Sequence, residues 1–160
     1  FRSTNAGRRF IREDEPEHYA REHAVAKLDG YRYAIVFDET IANEAPPGIP
    51  GWTREKLRDH LGTHPMFVRA DSLEELAAAA HLNSDAFRQT VAEYNRGIDN
   101  GPDPLGRQHR PRKIAQAPYY AIIHLGHSAT SAAGLTVDRD LSVLKASGEP
   151  IRGQIGRAHV

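Results

Sequence analysis

The stretch Tyr31-Arg32-Tyr33-Ala34-Ile35-Val36-Phe37 is the clearest strand in the sequence and the best guide to its fold. Aromatic and β-branched residues fill it, as they fill strands that are packed on one face. Before it, Pro16 suits the first turn of a helix, and Asp29-Gly30 stops that helix. Asp38-Glu39-Thr40 closes the strand on the other side. The sequence therefore predicts a helix followed directly by a strand.

Two amphipathic helices joined by a short turn are predicted in the middle of the chain. Ser72-Leu73-Glu74-Glu75 has the pattern of a capping box, which satisfies free N–H groups at the start of a helix. Asn83-Ser84-Asp85 caps a second helix. The apolar residues of the second helix recur at helical spacing, at Phe87, Val91, Tyr94 and Ile98. Helices joined so closely are expected to pack as a hairpin.

Shorter patterns complete the predicted fold. A short helix is expected to start at Thr53. Further strands are predicted over residues 7–12, 67–70, 119–124, 134–138 and 141–144. Helices and strands mixed in this order predict an α+β fold, with too few strands to close a core without partners.

Composition excludes several classes of protein. Lys and Arg number 21 and so do Asp and Glu, so no basic surface for nucleic acid is expected. There is no apolar run long enough to cross a bilayer, so no membrane partner is expected. Without cysteine there is no disulfide, thiolate metal site or catalytic thiol. A cytoplasmic location fits this composition.

The histidines do not form a metal motif. Of the nine, only His60 and His64 have the i, i+4 spacing of helical ligands, but Gly62 and Pro65 end that helix. The sequence also lacks a Gly-x-Gly-x-x-Gly fingerprint, a Walker loop and a Gly-x-Ser-x-Gly elbow. We expect no metal ligand in this chain.

A run of small residues, Ser128–Gly134, lies between two predicted strands. Small residues let a flat ligand approach the backbone and leave N–H groups free to bind it. A tight turn needing little volume explains the run equally well. The residues alone leave both interpretations open.

The order of segments resembles the fumarate reductase/succinate dehydrogenase flavoprotein-like family of FAD-dependent oxidoreductases, which includes ketosteroid dehydrogenases. The resemblance covers nearly the whole chain up to Gly153. The matching segments are Gly7-Arg8-Arg9-Phe10 with Glu13, Ala34–Asp38, Arg69–Leu76, Val91–Asn95, Pro104–Arg107, Pro118–Ile122, Ser131–Asp138, and Val143–Leu144 with Gly148–Ile151.

The resemblance implies a division of the chain. Residues 1–125 are expected to be mostly the cap (substrate) domain of a two-domain flavoprotein. Residues 126–153 are expected to be a return hairpin toward its Rossmann-like FAD domain. Residues 154–160 are expected to be a sequencing-adapter artefact, because the last six resemble one reading frame of a common adapter. The chain would then be a fragment, inactive without the missing parts of its own chain.

The resemblance also implies a chemistry. FAD would exchange a hydride with a small organic molecule, so the expected partner is a small-molecule substrate and the activity that of an oxidoreductase or dehydrogenase. Most of the FAD site would lie outside this chain. The expected catalytic residues are Glu13 and Ser131, and the expected cofactor-binding residues are Thr130, Ala132, Ala133 and Gly134.

Three positions depart from the fumarate reductases of this family. Pro16 stands where those enzymes have one arginine, Ala42 or a neighbour stands where they have a second, and Thr130 stands where they have a histidine. Without these cations we do not expect fumarate to be the substrate. The alternative to an enzyme fragment is a small non-enzymatic α+β module that binds a ligand or a protein, which would need a core of its own.

Overall fold

The computed structural model describes residues 1–109, 112–126 and 135–155 and divides the chain into two units, Phe1–Gly126 and His127–Val160. The elements of the first unit are β1 (Arg2–Thr4), α1 (His18–Ala26), β2 (Arg32–Asp38), α2 (Glu39–Glu44), α3 (Arg54–His60), β3 (Phe67–Ala70), α4 (Leu73–Ala79), α5 (Ser84–Asn100) and β4 (Tyr119–Leu125). A 3₁₀ turn over Asp29–Tyr31 joins α1 to β2. The second unit contains an antiparallel pair, β5 (Ser142–Leu144) and β6 (Pro150–Ile155).

The first unit is built on an antiparallel sheet with the strand order β1-β2-β4-β3. The long central pair runs in register from Arg32 opposite Leu125 to Asp38 opposite Tyr119. Since successive side chains of a strand point to opposite faces, β2 supplies two cores at once. The predicted strand over residues 31–37 is confirmed, shifted by one residue.

The helical hairpin covers one face of this sheet. Leu76 and Phe87 are fully buried against Val36 in one apolar cluster. The predicted caps are present, since Ser72 Oγ accepts the N–H of Glu75 and Asn83 Oδ1 accepts that of Ala86. Both helices and their apolar stripes are as predicted.

The opposite face carries a second apolar cluster, supplied by α2 and α3. Its buried members are Phe37, Ala42, Leu57, Leu61, Tyr120 and Ile122. Trp52 stacks on Phe67 at its edge, with ring centroids 5.5 Å apart. The four strands thus have a core on each face, and the expectation that they were too few to close one is wrong for this unit.

A single carboxylate begins α2, a helix that the sequence interpretation missed. Asp38 is 1% exposed, and its Oδ1 accepts the N–H of Ile41 as a helix cap. Its Oδ2 accepts the N–H groups of Ala115 and Gln116, just before β4. The residues interpreted as a strand end are therefore a cap and the first turn of a helix.

Two of the predicted strands differ in the structure. Residues 7–12 form no strand, and only Arg9 makes an isolated bridge, to Ser3. The reason is a turn at Gly7, whose φ is +75°, after which the Arg9 side chain pairs with acidic groups. Gly134 lies outside the described residues, and of residues 135–138 only Val137 bridges, to Val143. β6 extends to Ile155 and so includes the first two residues of the segment 154–160, which was expected not to belong to the protein. The domain boundaries given above stay predictions.

We expect Gly7→Ala to destabilise the protein far more than Gly48→Ala. Both glycines have a left-handed φ, +75° and +73°, which costs a side chain about 1–2 kcal/mol. A Cβ at Gly7 would also lie 2.6 Å from Asn83 O and from Phe87 N, whereas at Gly48 it meets nothing within 4 Å. The clash should add about 1–3 kcal/mol to the loss. Urea unfolding of both variants measures the difference, and equal losses would contradict the close approach.

Candidate functional site

A cavity of about 570 Å³ lies in the first unit, beside the face of the sheet that carries α2 and α3. Most of its wall is apolar. The apolar side chains come from β2, α2, the loop after α2, α3 and β4, and include Ile35, Phe37, Ile41, Ala42, Ile49, Leu57 and Ile122. A concave apolar site with a few polar groups is the usual form of a small-molecule site.

The polar groups of the cavity come from several elements. Arg2 is on β1, His124 is near the end of β4, and Glu13 lies in the loop before α1. Arg107 comes from the loop after α5. Arg112 also lines the cavity and pairs with Glu44, with Nε–Oε2 at 2.6 Å.

Glu13 is held by a bidentate ion pair. Arg9 Nε donates to Glu13 Oε1 at 2.9 Å and Arg9 Nη2 donates to Oε2 at 2.6 Å. Arg107 Nη1 lies 3.4 Å from the same Oε2, and the Glu13 side chain is only 12% exposed. Burial alone would raise the pKa of Glu13, but the hydrogen bonds and charge of Arg9, together with Arg107, hold it below its ordinary value. The carboxylate is therefore ionised and its orientation is fixed.

Asp103, in the loop after α5, joins the charged cluster formed by Arg9, Glu13 and Arg107. Arg9 Nη1 donates to Asp103 Oδ2 at 2.5 Å, and the Asp103 side chain is 2% exposed. The other oxygen accepts the backbone N–H groups of Leu105 and Arg107. Burial opposes ionisation of Asp103, yet the Arg9 hydrogen bond and these N–H groups keep its pKa lowered. Asp103 thereby shapes the turn that brings Arg107 to Glu13.

Arg107 is incompletely bonded. Its Nη1 donates to Tyr94 Oη at 2.6 Å, and its guanidinium carbon lies 5.4 Å from the centre of the Tyr94 ring. Tyr94 Oη in turn donates to the carbonyl of Arg112 at 3.3 Å, and burial raises the pKa of Tyr94. The Nε of Arg107 is buried and has no hydrogen-bond partner. Buried polar atoms are normally paired, so this atom marks an unsatisfied point beside the cavity.

His124 lies on β4, and its imidazole lines the cavity. Its ring stacks on Tyr33, its partner across β2 and β4, with centroids 5.1 Å apart. Burial, and secondarily the charge of Arg2, lowers the pKa of His124. The imidazole is therefore neutral at physiological pH.

The two histidines considered as metal ligands have structural contacts instead. His60 Nδ1 is 2.8 Å from the carbonyl of Lys56, and His64 Nδ1 accepts the N–H of Met66. Across the parts of the chain that the structure describes, no group of three or more acidic or histidine side chains could hold a metal ion. In the same parts, no helix is both long enough and apolar enough to cross a membrane.

The structure brings together only part of the predicted site. Glu13 lines the cavity. Ser131 and the predicted cofactor-binding residues Thr130, Ala132, Ala133 and Gly134 lie outside the described residues. Arg2, Arg9, Asp103, Arg107 and His124 were not predicted as site residues. The segments around Arg9 and Arg107 carried the family resemblance, and that was the signal that pointed to them.

Comparison with known proteins identifies the family. The family described as FAD binding domain matches residues 3–153, nearly the whole chain. The chain belongs to this family. The predicted flavoprotein family is confirmed, and FAD is the cofactor that goes with it.

Relatives of this FAD binding domain protein include reductases and dehydrogenases. The probable fumarate reductase Ifc3 of Shewanella frigidimarina (strain NCIMB 400) is 28% identical over 155 residues, 96% of this chain and 24% of that protein. The open conformation of a flavocytochrome c3 fumarate reductase has a TM-score of 0.63 and 27% identity, covering 96% of this chain and 26% of that one. The chain thus spans about a quarter of the length of such relatives.

A steroid dehydrogenase structure shares the fold. The 3-ketosteroid delta1-dehydrogenase from Sterolibacterium denitrificans, in complex with 1,4-androstadiene-3,17-dione, has a TM-score of 0.69. It is 24% identical, and the match covers 97% of this chain and 32% of that one. At this identity it shows the fold alone, which is the mixed helix and sheet fold of the flavoproteins.

We expect Asp103→Asn to cost about 3–5 kcal/mol at neutral pH, because it removes one partner of a buried ion pair. Since the pKa of Asp103 is lowered in the folded state, its contribution is present above the unfolded pKa, near 4, and is lost as pH falls through the folded pKa. The difference between variant and unmutated protein should therefore shrink on acidification.

Urea unfolding at a series of pH values measures this difference. The matched control is Asp71→Asn, which breaks an exposed pair with Arg69 and should cost about 1 kcal/mol or less. A loss at Asp103 no larger than at Asp71, or one that does not change with pH, would contradict the buried ion pair.

Proposed function

We propose that this chain is part of an FAD-dependent oxidoreductase that transfers a hydride between the flavin and a small organic substrate, and that its cavity receives the substrate. The observation that carries the proposal is a cavity with apolar walls that has a buried, ionised carboxylate at its polar end. Relatives named as reductases and dehydrogenases support it. The alternative of a small non-enzymatic module is not favoured, because the family match spans residues 3–153.

The described residues fit a cap domain that closes over the cofactor better than a domain that binds it. A dinucleotide is commonly held where a strand of a parallel sheet turns through glycines into a helix. Here the sheet is antiparallel throughout, and the sequence has no such glycine fingerprint. When bound, the flavin would supply hydride transfer. This fit supports a cap (substrate) domain over residues 1–125 and a return toward a Rossmann-like FAD domain over 126–153.

The chain's own residues would bind the substrate and exclude water. The walls around Phe37, Leu57 and Ile122 present apolar side chains, which strengthen electrostatic interactions inside a closed site. Glu13, ionised and fixed by Arg9, would orient Arg107 and hold or pass a proton at Oε2. We keep a cytoplasmic location as part of the proposal.

The first test uses the full-length protein purified with FAD. Glu13→Gln keeps the shape of the side chain but removes its charge, so we expect kcat to fall about 100-fold, the scale of a lost proton-transfer group. The acidic limb of the pH profile should also change, because a carboxylate with a lowered pKa no longer titrates.

The matched control is Glu17→Gln, an exposed glutamate before α1, which should leave both readouts unchanged. The absorbance of oxidised and reduced flavin checks that each variant still binds and reduces its cofactor. A full-length protein that binds no flavin would overturn the proposed function, and an unchanged pH profile in Glu13→Gln would overturn the role of Glu13.

The residues beyond Gly126 are tested separately. From the family resemblance, the loop Ser131–Gly134 would lie against the substrate or the flavin and lend backbone N–H groups to a developing oxyanion. We expect Ala133→Leu to abolish turnover by filling the space for the ring. Unchanged steady-state kinetics in the flavin-loaded enzyme would refute the contact.

A further inference from the structure

The loop between α2 and α3, residues 45–53, forms one wall of the cavity, and residues 45–49 line it directly. Half-buried and exposed residues alternate along this stretch, with Ala45, Pro47 and Ile49 half-buried and Pro46, Gly48 and Pro50 exposed. Ile49 also packs against the apolar cluster that contains Leu57. Because the other lining residues of the loop are alanine, proline or glycine, Ile49 is the bulkiest side chain that the loop contributes to the cavity.

The backbone at Ile49 has a conformation that the local sequence fixes. The N–H of Trp52 donates to the carbonyl of Ile49 at 3.1 Å, which closes a β-turn. Pro50 and Gly51 are the central residues of this turn, and the φ of Gly51 is +76°. Proline followed by a glycine in the left-handed region is typical of a type II turn, and proline allows only a narrow range of φ. Ile49 therefore lies at the start of a rigid turn.

The loop is anchored at both ends. The Trp52 ring stacks on Phe67 of β3, with centroids 5.5 Å apart and ring planes 8° apart. On α3, Lys56 Nζ lies 4.8 Å from the centre of the Trp52 ring, which is a cation–π contact. At the start of the loop, Arg54 Nη2 donates to the carbonyl of Ala45 at 3.2 Å. These contacts fix the wall on either side of Ile49.

The two helices that carry the loop are also joined to each other. Glu39 on α2 accepts hydrogen bonds from Arg58 Nη2 on α3 at 2.9 Å and from Tyr120 Oη on β4 at 2.6 Å. Arg58 Nη2 also donates to Asn43 Oδ1 on α2 at 2.7 Å. The hydrogen bond from Tyr120, together with Arg58, holds the pKa of Glu39 below its ordinary value, so the bonds to this carboxylate are charge-assisted at neutral pH. An outward movement of either helix would break them.

An ion pair lies beside the loop, but each of its charges is matched by the other. Glu44 precedes the loop and lines the cavity, and its Oε2 is 2.6 Å from Arg112 Nε. Both side chains are about half exposed, so they can rearrange around a ligand without being buried alone. Ile49 has no such freedom, because the turn and its anchors hold it. The loop therefore restricts the size of a ligand rather than its charge.

We propose that Ile49 determines how large an apolar ligand the cavity accepts. A close-packed wall leaves no room for an added ring unless the wall itself moves, and the anchors of the loop oppose that movement. A smaller residue at position 49 enlarges the cavity toward the loop, and a larger one closes it there. The proposal rests on the proposed function, because it makes Ile49 a determinant of substrate size in the same cavity.

The test is equilibrium dialysis of the oxidised, FAD-loaded full-length protein with 2-naphthol and 9-phenanthrol, two neutral ligands that differ by one aromatic ring. The measured quantity is the ratio of their dissociation constants. We expect Ile49→Ala to shift this ratio about 10-fold or more in favour of 9-phenanthrol, and Ile49→Phe to shift it about 10-fold in favour of 2-naphthol, which is the scale of size discrimination by an apolar pocket.

Two further variants control for folding and for a general loss of packing. Ile49→Val should shift the ratio in the same direction as Ile49→Ala but by less, and it replaces the alanine variant if that variant does not fold. Ile98→Ala is the matched control, because it removes the same atoms from the apolar cluster on the opposite face of the sheet and does not line the cavity. It should leave both affinities unchanged.

The outcomes separate the two proposals. An unchanged ratio in the Ile49 variants, an equal shift in Ile98→Ala, or binding of neither ligand by any variant would overturn the role of Ile49. Flavin content is measured from the absorbance of the same samples, and a full-length protein without flavin would overturn the proposed function. Dialysis needs no turnover, so the role of Ile49 is decided in either case.

Discussion

The pairing of β2 with β4 is the constraint on which the rest of the first unit depends. Its register over Arg32–Asp38 and Tyr119–Leu125 decides which side chains face the helical hairpin and which face the cavity. A slip of one residue would exchange the two sets and bury polar groups such as His124 in the core of α4 and α5. Core and cavity are thus specified by the same backbone hydrogen bonds.

Charge pairing holds the loops that this sheet does not organise. Arg9 joins the segment before α1 to the loop after α5, through contacts to Glu13 and to Asp103 that lie 4 and 94 residues away in sequence. The segment between β1 and α1 contributes no member to the two apolar clusters, and the loop after α5 contributes Ile114. A buried ion pair is a costly way to join segments, but it gives a defined geometry, and here that geometry brings Arg107 beside Glu13.

Local sequence patterns predicted those helices and strands that are stabilised by features within a few residues of sequence. The strand at β2 and the hairpin of α4 and α5 follow from composition, period and caps, all visible within a few residues. β1 was missed because Arg2–Thr4 is polar and becomes a strand only by pairing with β2. α2 was missed although Asp38 followed by Glu39 is a recognisable helix start.

The candidate site was harder to predict than the fold. Glu13 was found through the family resemblance. Arg9 binds both Glu13 and Asp103, but Asp103 is distant from them in sequence and no spacing rule connects it to them. His124 read as part of an apolar strand, and only the register shows that it lines the cavity. Residues that act through tertiary contacts leave no local pattern.

Asp38 has a consequence for how the cavity wall can move. One carboxylate caps α2 with Oδ1 and binds the N–H groups of Ala115 and Gln116 with Oδ2. Local opening of α2 alone would strand this buried group, so the helix and the entry to β4 are expected to open as one cooperative unit. We therefore expect α2 to move away from the cavity only together with the start of β4, and small fluctuations of α2 alone, which would admit water, to be suppressed.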